Sequence, residues 1–215
     1  MARIARIVLP RTPHLISQRG NRGGRIFFSR TDRQRYLDLL ADYLADNAVK
    51  LWAYRLDASE VRAVVVPPDG EALGRALRNA HGRYSRTINV RQDTVGHLFH
   101  GRFYSCPLDA EYLALAVRYV ERFSGPMPPA TSNSAAAHCR KRTAGGILSG
   151  DLPLLKTVGP WRTWLARPID PTALGHLLSR LRVGKPAGSR EFVARAEALT
   201  GLNLSRPRGR PRTPK

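Results

Sequence analysis

The sequence predicts an α+β fold in which a split βαβ arrangement is built on an antiparallel sheet. Stretches with the two-residue alternation of strands and stretches with the periodicity of amphipathic helices follow one another along residues 1–125. Their order is strand, helix, strand, strand, helix, strand and helix. This order returns the chain to one sheet four times and places the intervening helices against it.

The second and third strands are the clearest of these elements. Residues 50–56 and 61–66 both have strand-like patterns, and a short polar break at 57–60 separates them. The third strand is rich in valine and ends at Pro67, which predicts that it is mostly buried.

A charged pair, Glu60 and Arg62, opens this valine-rich strand. Because successive side chains of a strand alternate between faces, both residues share a face with Val64 and Val66. Charged residues are rare at such positions. The pair is either an exposed ion pair at the end of a strand or part of a present or former functional site.

The first strand, at 13–19, leads into a glycine-rich turn at 20–24. The turn places Asn21 and Arg22 close to Arg19. Backbone N–H groups and guanidinium groups in such a turn suit contact with phosphate. A plain chain reversal is the alternative interpretation.

Two amphipathic helices connect the strands. The first, at 31–47, has one apolar stripe and begins where Ser29 or Thr31 can cap it. The second, at 69–89, has an apolar face and a basic face. The basic face is formed by Arg75, Arg78, Arg83 and Arg86. It predicts either an electropositive ridge for a nucleic-acid backbone or an ordinary solvated helix face.

Residues 91–107 contain the fourth strand, and aromatic side chains lie between basic ones in this segment. Aromatic rings can stack on unpaired bases while cations bind phosphate, which makes His97 and Arg102 candidate DNA ligands. Packing of the same rings into the core is the alternative.

A last core helix, at 109–122, carries Tyr119 at the edge of its apolar face. With this helix the elements predict a ferredoxin-like fold that has one helix more than the split βαβ unit. We expect the sheet face left open in such folds to bind nucleic acid.

Composition divides the chain into four parts: a core at 1–125, a loop-rich connection at 126–160, a small helical extension at 161–202 and a basic tail at 203–215. Arg208 and Arg210 flank a glycine in the tail, as in an AT-hook that lies in a narrow A·T minor groove. A nonspecific phosphate-binding tail is the alternative.

The net charge of +20 indicates a polyanionic partner. Of the 36 basic residues 31 are Arg, which binds phosphate in bidentate fashion and stacks on bases, so nucleic acid is the expected partner. The two cysteines form no motif, and no apolar run has the length of a signal peptide or a membrane span. We expect a cytoplasmic, nucleoid-associated monomer with no membrane partner, with a dimer as the alternative.

Several segments, in the right order, resemble the REP-associated tyrosine transposases of the single-tyrosine, His–hydrophobic–His superfamily. The similar segments are HLISQRGNRGGRIFF, WAYRL, VGHLFHGRFYS, YLALAVRYVER and RGRPR. The resemblance implies cutting of single-stranded DNA beside a hairpin by a tyrosine on a helix. It also implies a divalent metal held by two strand histidines and a polar side chain after that tyrosine.

On this resemblance Tyr119 occupies the nucleophile position, and Glu60, Arg62 and Phe123 occupy the three metal-ligand positions. A guanidinium repels a metal cation, a phenyl ring cannot ligate one, and one carboxylate beside Arg62 makes a poor Mg²⁺ site. We expect Arg62 to pair with a DNA phosphate instead. The chain is then a domesticated relative that binds hairpin or single-stranded DNA, needs no cofactor and does not cleave strands.

Two other functions remain open on the sequence alone. The first is an active transposase or endonuclease that holds Mg²⁺ or Mn²⁺ with Glu60 or with nearby histidines, namely His14, His97 and His100. The second is an RNA-binding protein that uses the open sheet face.

Overall fold

The computed structural model describes residues 6–140 and 146–204 of the chain. Its centre is one four-stranded sheet with the order β2-β3-β1-β4, in which all neighbouring strands are antiparallel. The strands are β1 (His14–Arg19), β2 (Lys50–Asp57), β3 (Glu60–Val66) and β4 (Tyr104–Pro107). The strand order and the helices between the strands confirm the predicted ferredoxin-like α+β fold.

The helices of the described residues are α1 (Arg30–Asp46), α2 (Ala72–Arg91), α3 (Ala110–Glu121), α4 (Ala135–Cys139), α5 (Leu154–Thr157), α6 (Trp161–Ala166), α7 (Pro171–Val183) and α8 (Arg190–Thr200). None of them is both long and apolar enough to cross a bilayer.

Helix α1 begins in a capping box, which settles that Ser29 rather than Thr31 is the cap. The Ser29 hydroxyl accepts a hydrogen bond from the Asp32 N–H at 3.1 Å, and Asp32 accepts one from the Ser29 N–H at 2.9 Å. Arg91, at the end of α2, forms a bidentate ion pair with the same carboxylate. This pair lowers the pKa of Asp32 to about 2 and joins the two helices.

Helices α1 and α2 pack together on one face of the sheet, over a core that includes Tyr36, Tyr54 and Tyr84. Helix α3 packs on the opposite face, against Leu15 and Val64, and the C-terminal helices extend the same core. The expectation of an open sheet face was therefore wrong. The apolar stripe of α3 covers this face because the strand residues beneath it are equally apolar.

The described parts of the connection, 126–140 and 146–160, are tied to the rest of the protein despite their loop-rich composition. The Ser134 backbone N–H donates to the Tyr54 carbonyl at 3.0 Å, and Leu148 and Leu152 are buried in the two cores. Helix α7 contacts β4 and α3, so the helical extension lies against the sheet. The four-part division of the chain remains a prediction.

A buried carboxylate at the end of α3 holds this connection in place. Glu121 is fully buried, and it accepts hydrogen bonds from the Trp161 indole at 2.6 Å and from the Ser134 hydroxyl. The His138 ring lies 2.7 Å from the same carboxylate through Nδ1. One side chain of α3 therefore anchors the chain at three later positions.

We expect Glu121→Ala to reduce the free energy of unfolding by about 3 kcal/mol or more, because it leaves buried donors without an acceptor. Urea denaturation followed by circular dichroism measures this loss. Glu111→Ala, an exposed change in the first turn of the same helix, should cost less than about 1 kcal/mol. Equal losses in the two variants would contradict the anchoring role of Glu121.

His14, at the start of β1, is fully buried and uses both ring nitrogens. Nε2 accepts from the Leu9 N–H at 3.1 Å, so the ring proton is on Nδ1, which donates to the Thr12 carbonyl at 2.7 Å. Burial lowers the pKa of His14 to about 4, although the Thr12 hydrogen bond opposes the shift.

Because the unfolded chain then binds a proton that the folded chain does not, stability should fall as the pH is lowered from about 6.5 to about 4. We expect His14 to contribute a slope of up to about 1.4 kcal/mol per pH unit in this window. Urea denaturation at a series of pH values measures it. His14→Gln should show a flatter dependence, and an unchanged slope would contradict the assignment.

Candidate functional site

The charged pair that opens β3 forms a closed ion-pair network. Arg62 binds Glu60 Oε2 through Nε at 2.9 Å and Nη2 at 2.7 Å, and its Nη2 also lies 3.3 Å from Asp57. The other carboxylate oxygen, Oε1, accepts from the Ser17 hydroxyl at 2.6 Å and lies 3.5 Å from Arg19 Nε. Both oxygens of Glu60 are therefore occupied by donors of this chain.

The pKa of Glu60 is set by two opposing effects, burial and the hydrogen bonds that the carboxylate accepts. Burial alone would raise it, but the hydrogen bonds from Arg62 and Ser17 outweigh burial and lower it. The carboxylate stays ionised and bound to a cation of its own protein. Arg62 and Glu60 are only 20% and 14% exposed in their side chains, so this is a desolvated pair rather than a solvated surface pair.

Tyr119 lies directly next to this network. The Arg62 guanidinium carbon is 5.0 Å from the centre of the Tyr119 ring, in a cation–π contact that joins β3 to α3. Burial raises the pKa of Tyr119, Arg62 opposes the shift and Glu60 adds to it. The balance of these effects keeps the phenol in its neutral form at physiological pH.

Phe123, just after α3, packs on the apolar core of that sheet face. The guanidinium of Arg162 lies 5.8 Å from the centre of its ring. The structure thus brings Glu60, Arg62 and Tyr119 together as expected, but their donors do not suit a metal. One carboxylate with both oxygens hydrogen-bonded, a guanidinium and a phenyl ring do not form the oxygen-rich set that Mg²⁺ or Mn²⁺ requires.

The histidines considered as replacement ligands do not complete such a site. His14 pairs with Val65, at the far end of β1 and β3 from the Arg19–Glu60 pair. His97 and His100 are exposed in the loop before β4. Within residues 6–140 and 146–204, no group of three or more His, Cys, Asp or Glu side chains is placed to hold a metal ion.

The turn after β1 and the loop before β4 are joined by backbone hydrogen bonds. The Asn21 N–H donates to the Leu98 carbonyl at 2.8 Å, and the His100 N–H donates to the Arg19 carbonyl at 2.8 Å. Gly20 also pairs with Phe99 as an isolated bridge. These bonds place the candidate ligands of the two segments next to one another.

The turn itself has a specific backbone shape. A β-carbon at Gly20 would lie 2.0 Å from the Gly24 carbonyl oxygen, so only glycine allows this close reversal. Arg22 has a φ of 52°, in the left-handed region that is uncommon for residues other than glycine. Strained residues of this kind concentrate at binding sites, and Arg22 is exposed to solvent.

Helix α2 presents its basic face to solvent, as the sequence predicts. Three of its arginines are exposed and have no carboxylate partner in the described part of the chain: Arg78, Arg83 and Arg86. Arg75 differs, because it binds Glu71 at 2.9 Å and lies 3.7 Å from Asp69. The arginines of α2 without a carboxylate partner in the described residues therefore lie after its first turn.

These residues form what we call the basic surface: Arg19, Asn21, Arg22, Arg78, Arg83, Arg86, His97 and Arg102. Arg78, His97 and Arg102 also line one cavity together with Arg6. Sequence analysis missed Arg6, because the only signal for it is the general positive charge of the N-terminal segment. Arg208 and Arg210 lie outside the described residues.

The Glu60–Arg62 pair predicts strong energetic coupling between its members. We expect Arg62→Leu to reduce the free energy of unfolding by about 2 kcal/mol or more, because Glu60 loses its cation while half-buried. The double variant Glu60→Gln/Arg62→Leu should recover part of the loss, with a coupling of about 1–3 kcal/mol by urea denaturation.

The exposed pair Glu71 and Arg75 provides the control cycle. It should couple by less than about 1 kcal/mol, because solvent screens it. A coupling at Glu60 and Arg62 no larger than that of the control would show that the network is an ordinary surface pair.

Comparison with known proteins finds several similar solved structures and no match of the other two kinds. No family model matches the chain, and no curated protein matches it. A solved structure of a REP-associated tyrosine transposase bound to a REP hairpin is similar, with a TM-score of 0.47 and 11% identical residues. The similar region covers 56% of this chain and 70% of that one. At this level of similarity, the contacts and charges of the chain itself must indicate what its site does.

Proposed function

We propose that this protein binds hairpin or single-stranded DNA through the basic surface and does not cleave it. The observation that carries the proposal is the group of exposed arginines on α2 that have no carboxylate partner among the described residues. Unneutralised guanidinium groups clustered on one surface are the electrostatic footprint of a nucleic-acid site. The expectation of a hairpin or a single strand comes from the sequence resemblance.

The exposed arginines of the two joined segments support phosphate as the group that is bound. The tight turn at 20–24 and the loop at 96–102 are held together by backbone hydrogen bonds, and they present Arg22 and Arg102 to solvent. Arginine forks are usual partners of phosphate oxygens. Such contacts position a strand and make binding strongly dependent on salt.

The contacts of Tyr119 support the absence of cleavage. The guanidinium of Arg62 occupies the place beside the phenol where catalysis would require a cation that polarises phosphate. That guanidinium is already bound by Glu60, and the pKa of the phenol is raised. In this account the network holds β3 to α3 and performs no chemistry.

RNA binding is less well supported than DNA binding. The open sheet face on which that hypothesis depended is covered by α3. RNA that binds as tightly as DNA of the same hairpin sequence, at matched salt, would revive that function.

We expect a fluorescent DNA hairpin with a single-stranded flank to bind the full chain with an affinity that falls steeply with salt. Arg22→Gln/Arg86→Gln removes two unpaired charges of the basic surface. It should weaken binding about tenfold at low salt and reduce the slope of log K against log salt by about 1.5. Fluorescence anisotropy measures both quantities.

The matched control is Lys156→Gln/Arg182→Gln, which removes two exposed charges from α5 and α7. It should change the affinity less than about twofold, because these charges lie in the C-terminal extension. The same loss in both double variants would mean that net charge alone attracts DNA, and it would contradict a defined site.

A further inference from the structure

A cavity of about 430 Å³ lies between the first half of α2 and the loop before β4. Its wall combines three arginines, two histidines and two phenylalanines, and it contains no acidic residue. The side chains that matter are Arg6, Arg78, Arg102, His81, Phe99 and Phe103. The volume lies in the range of about 300–1,000 Å³ that is usual for sites of small ligands.

Arg6 reaches this cavity from the N-terminal segment and is held there. Its guanidinium lies 3.5 Å from the centre of the Phe103 ring, and Nη2 donates to the Phe103 carbonyl at 3.4 Å. Gly74 on α2 lies beside Arg6, since a β-carbon there would be at ordinary contact distance, 4.0 Å, from Nη1. The guanidinium is therefore placed by an aromatic ring and a carbonyl, with no carboxylate.

The three guanidinium groups repel one another across the cavity. Burial lowers the pKa of Arg6, and the charges of Arg102 and Arg78 add to the effect. Together they bring this pKa to about 10. A protein that gathers unneutralised cations in a concave site favours an anion there. Three forks of N–H donors suit the oxygens of a phosphate group better than those of a single carboxylate.

The apolar part of the wall indicates more than a bare anion. His81 and Phe99 lie with ring centres 4.4 Å apart, and His81 also contacts Tyr36 through a hydrogen bond of 2.9 Å. Burial lowers the pKa of His81 to about 3, so its ring is neutral. A neutral aromatic wall beside three cations suits a sugar or base next to its phosphate.

We propose that this cavity binds the phosphate of a nucleotide through Arg6, Arg78 and Arg102, with the sugar or base against His81 and Phe99. The nucleotide is either the terminal residue of a DNA strand or a free nucleotide. Binding of the end of a DNA strand rests on the proposed function, whereas binding of a free nucleotide does not.

Isothermal titration calorimetry of the full chain with 5′-dAMP and with inorganic phosphate tests the cavity. The variant Arg78→Gln/Arg102→Gln removes two cations from it, and Lys156→Gln/Arg182→Gln removes two exposed cations of the C-terminal helices outside it. We expect 5′-dAMP to bind about tenfold more weakly to the first variant and within twofold of the parent to the second. Inorganic phosphate should bind more weakly than 5′-dAMP, and deoxyadenosine should not bind.

Circular dichroism of each variant confirms that the chain is folded. Equal losses in the two variants, or no binding of 5′-dAMP at millimolar concentration to the folded parent chain, would overturn the proposal. Binding of deoxyadenosine as tight as that of 5′-dAMP would also overturn it, since the phosphate would then contribute nothing.

A pair of ten-nucleotide single strands, one with a 5′-phosphate and one with a 5′-hydroxyl, separates the two sources. Tighter binding of the phosphorylated strand, lost in Arg78→Gln/Arg102→Gln, supports the strand end. Equal binding of the two strands, with 5′-dAMP bound but displacing neither strand, supports the free nucleotide. If the chain binds 5′-dAMP but no DNA, the proposed function fails and the cavity assignment stands. If the chain binds DNA but neither 5′-dAMP nor phosphate, the cavity assignment fails and the proposed function stands.

Discussion

The ion pair between Arg62 and Glu60 determines how the candidate site of this protein is interpreted. It lies where the first residues of β3 meet α3, and it is largely shielded from water. Two hydrogen bonds from Arg62 to one carboxylate oxygen, and one each from Ser17 and Arg19 to the other, occupy the lone pairs of Glu60. Because removal of either charge leaves its partner half-buried and unpaired, the pair persists as a structural unit. The Tyr119 ring packs against that unit through the Arg62 guanidinium.

The same end of the sheet carries two surfaces with different characters. On the α3 side, charges are paired and the phenol is enclosed. On the α2 side, arginines are exposed and unpaired within the described residues, and a cavity gathers three of the guanidinium groups. Arg19 lies between them, because its side chain approaches Glu60 while its carbonyl holds the loop before β4. The proposed binding surface and the nucleophile position that the resemblance assigns to Tyr119 are thus separate in space, so a change at one need not alter the other.

Much of this architecture follows from local sequence patterns. The alternation in residues 50–66 and the apolar stripes of α1, α2 and α3 correctly predict the elements, since each pattern reports burial of one face. The patterns do not say which face of the sheet α3 covers, and for that reason the open face was predicted wrongly. The partners of Glu121 are also invisible in the sequence, because Ser134, His138 and Trp161 come from a segment with loop-like composition. The sequence does not identify Arg6 as a site residue for a similar reason, because a tertiary contact with Phe103 brings it to the cavity.

The central claim is that the phenol of Tyr119 does not attack DNA. Its most direct test is the intact mass of the full chain after incubation with a single-stranded hairpin DNA and Mg²⁺ or Mn²⁺. The account predicts an unchanged protein mass and an uncut DNA strand under conditions in which the hairpin is bound. A covalent protein–DNA adduct mapped to Tyr119, and absent from Tyr119→Phe, would contradict it.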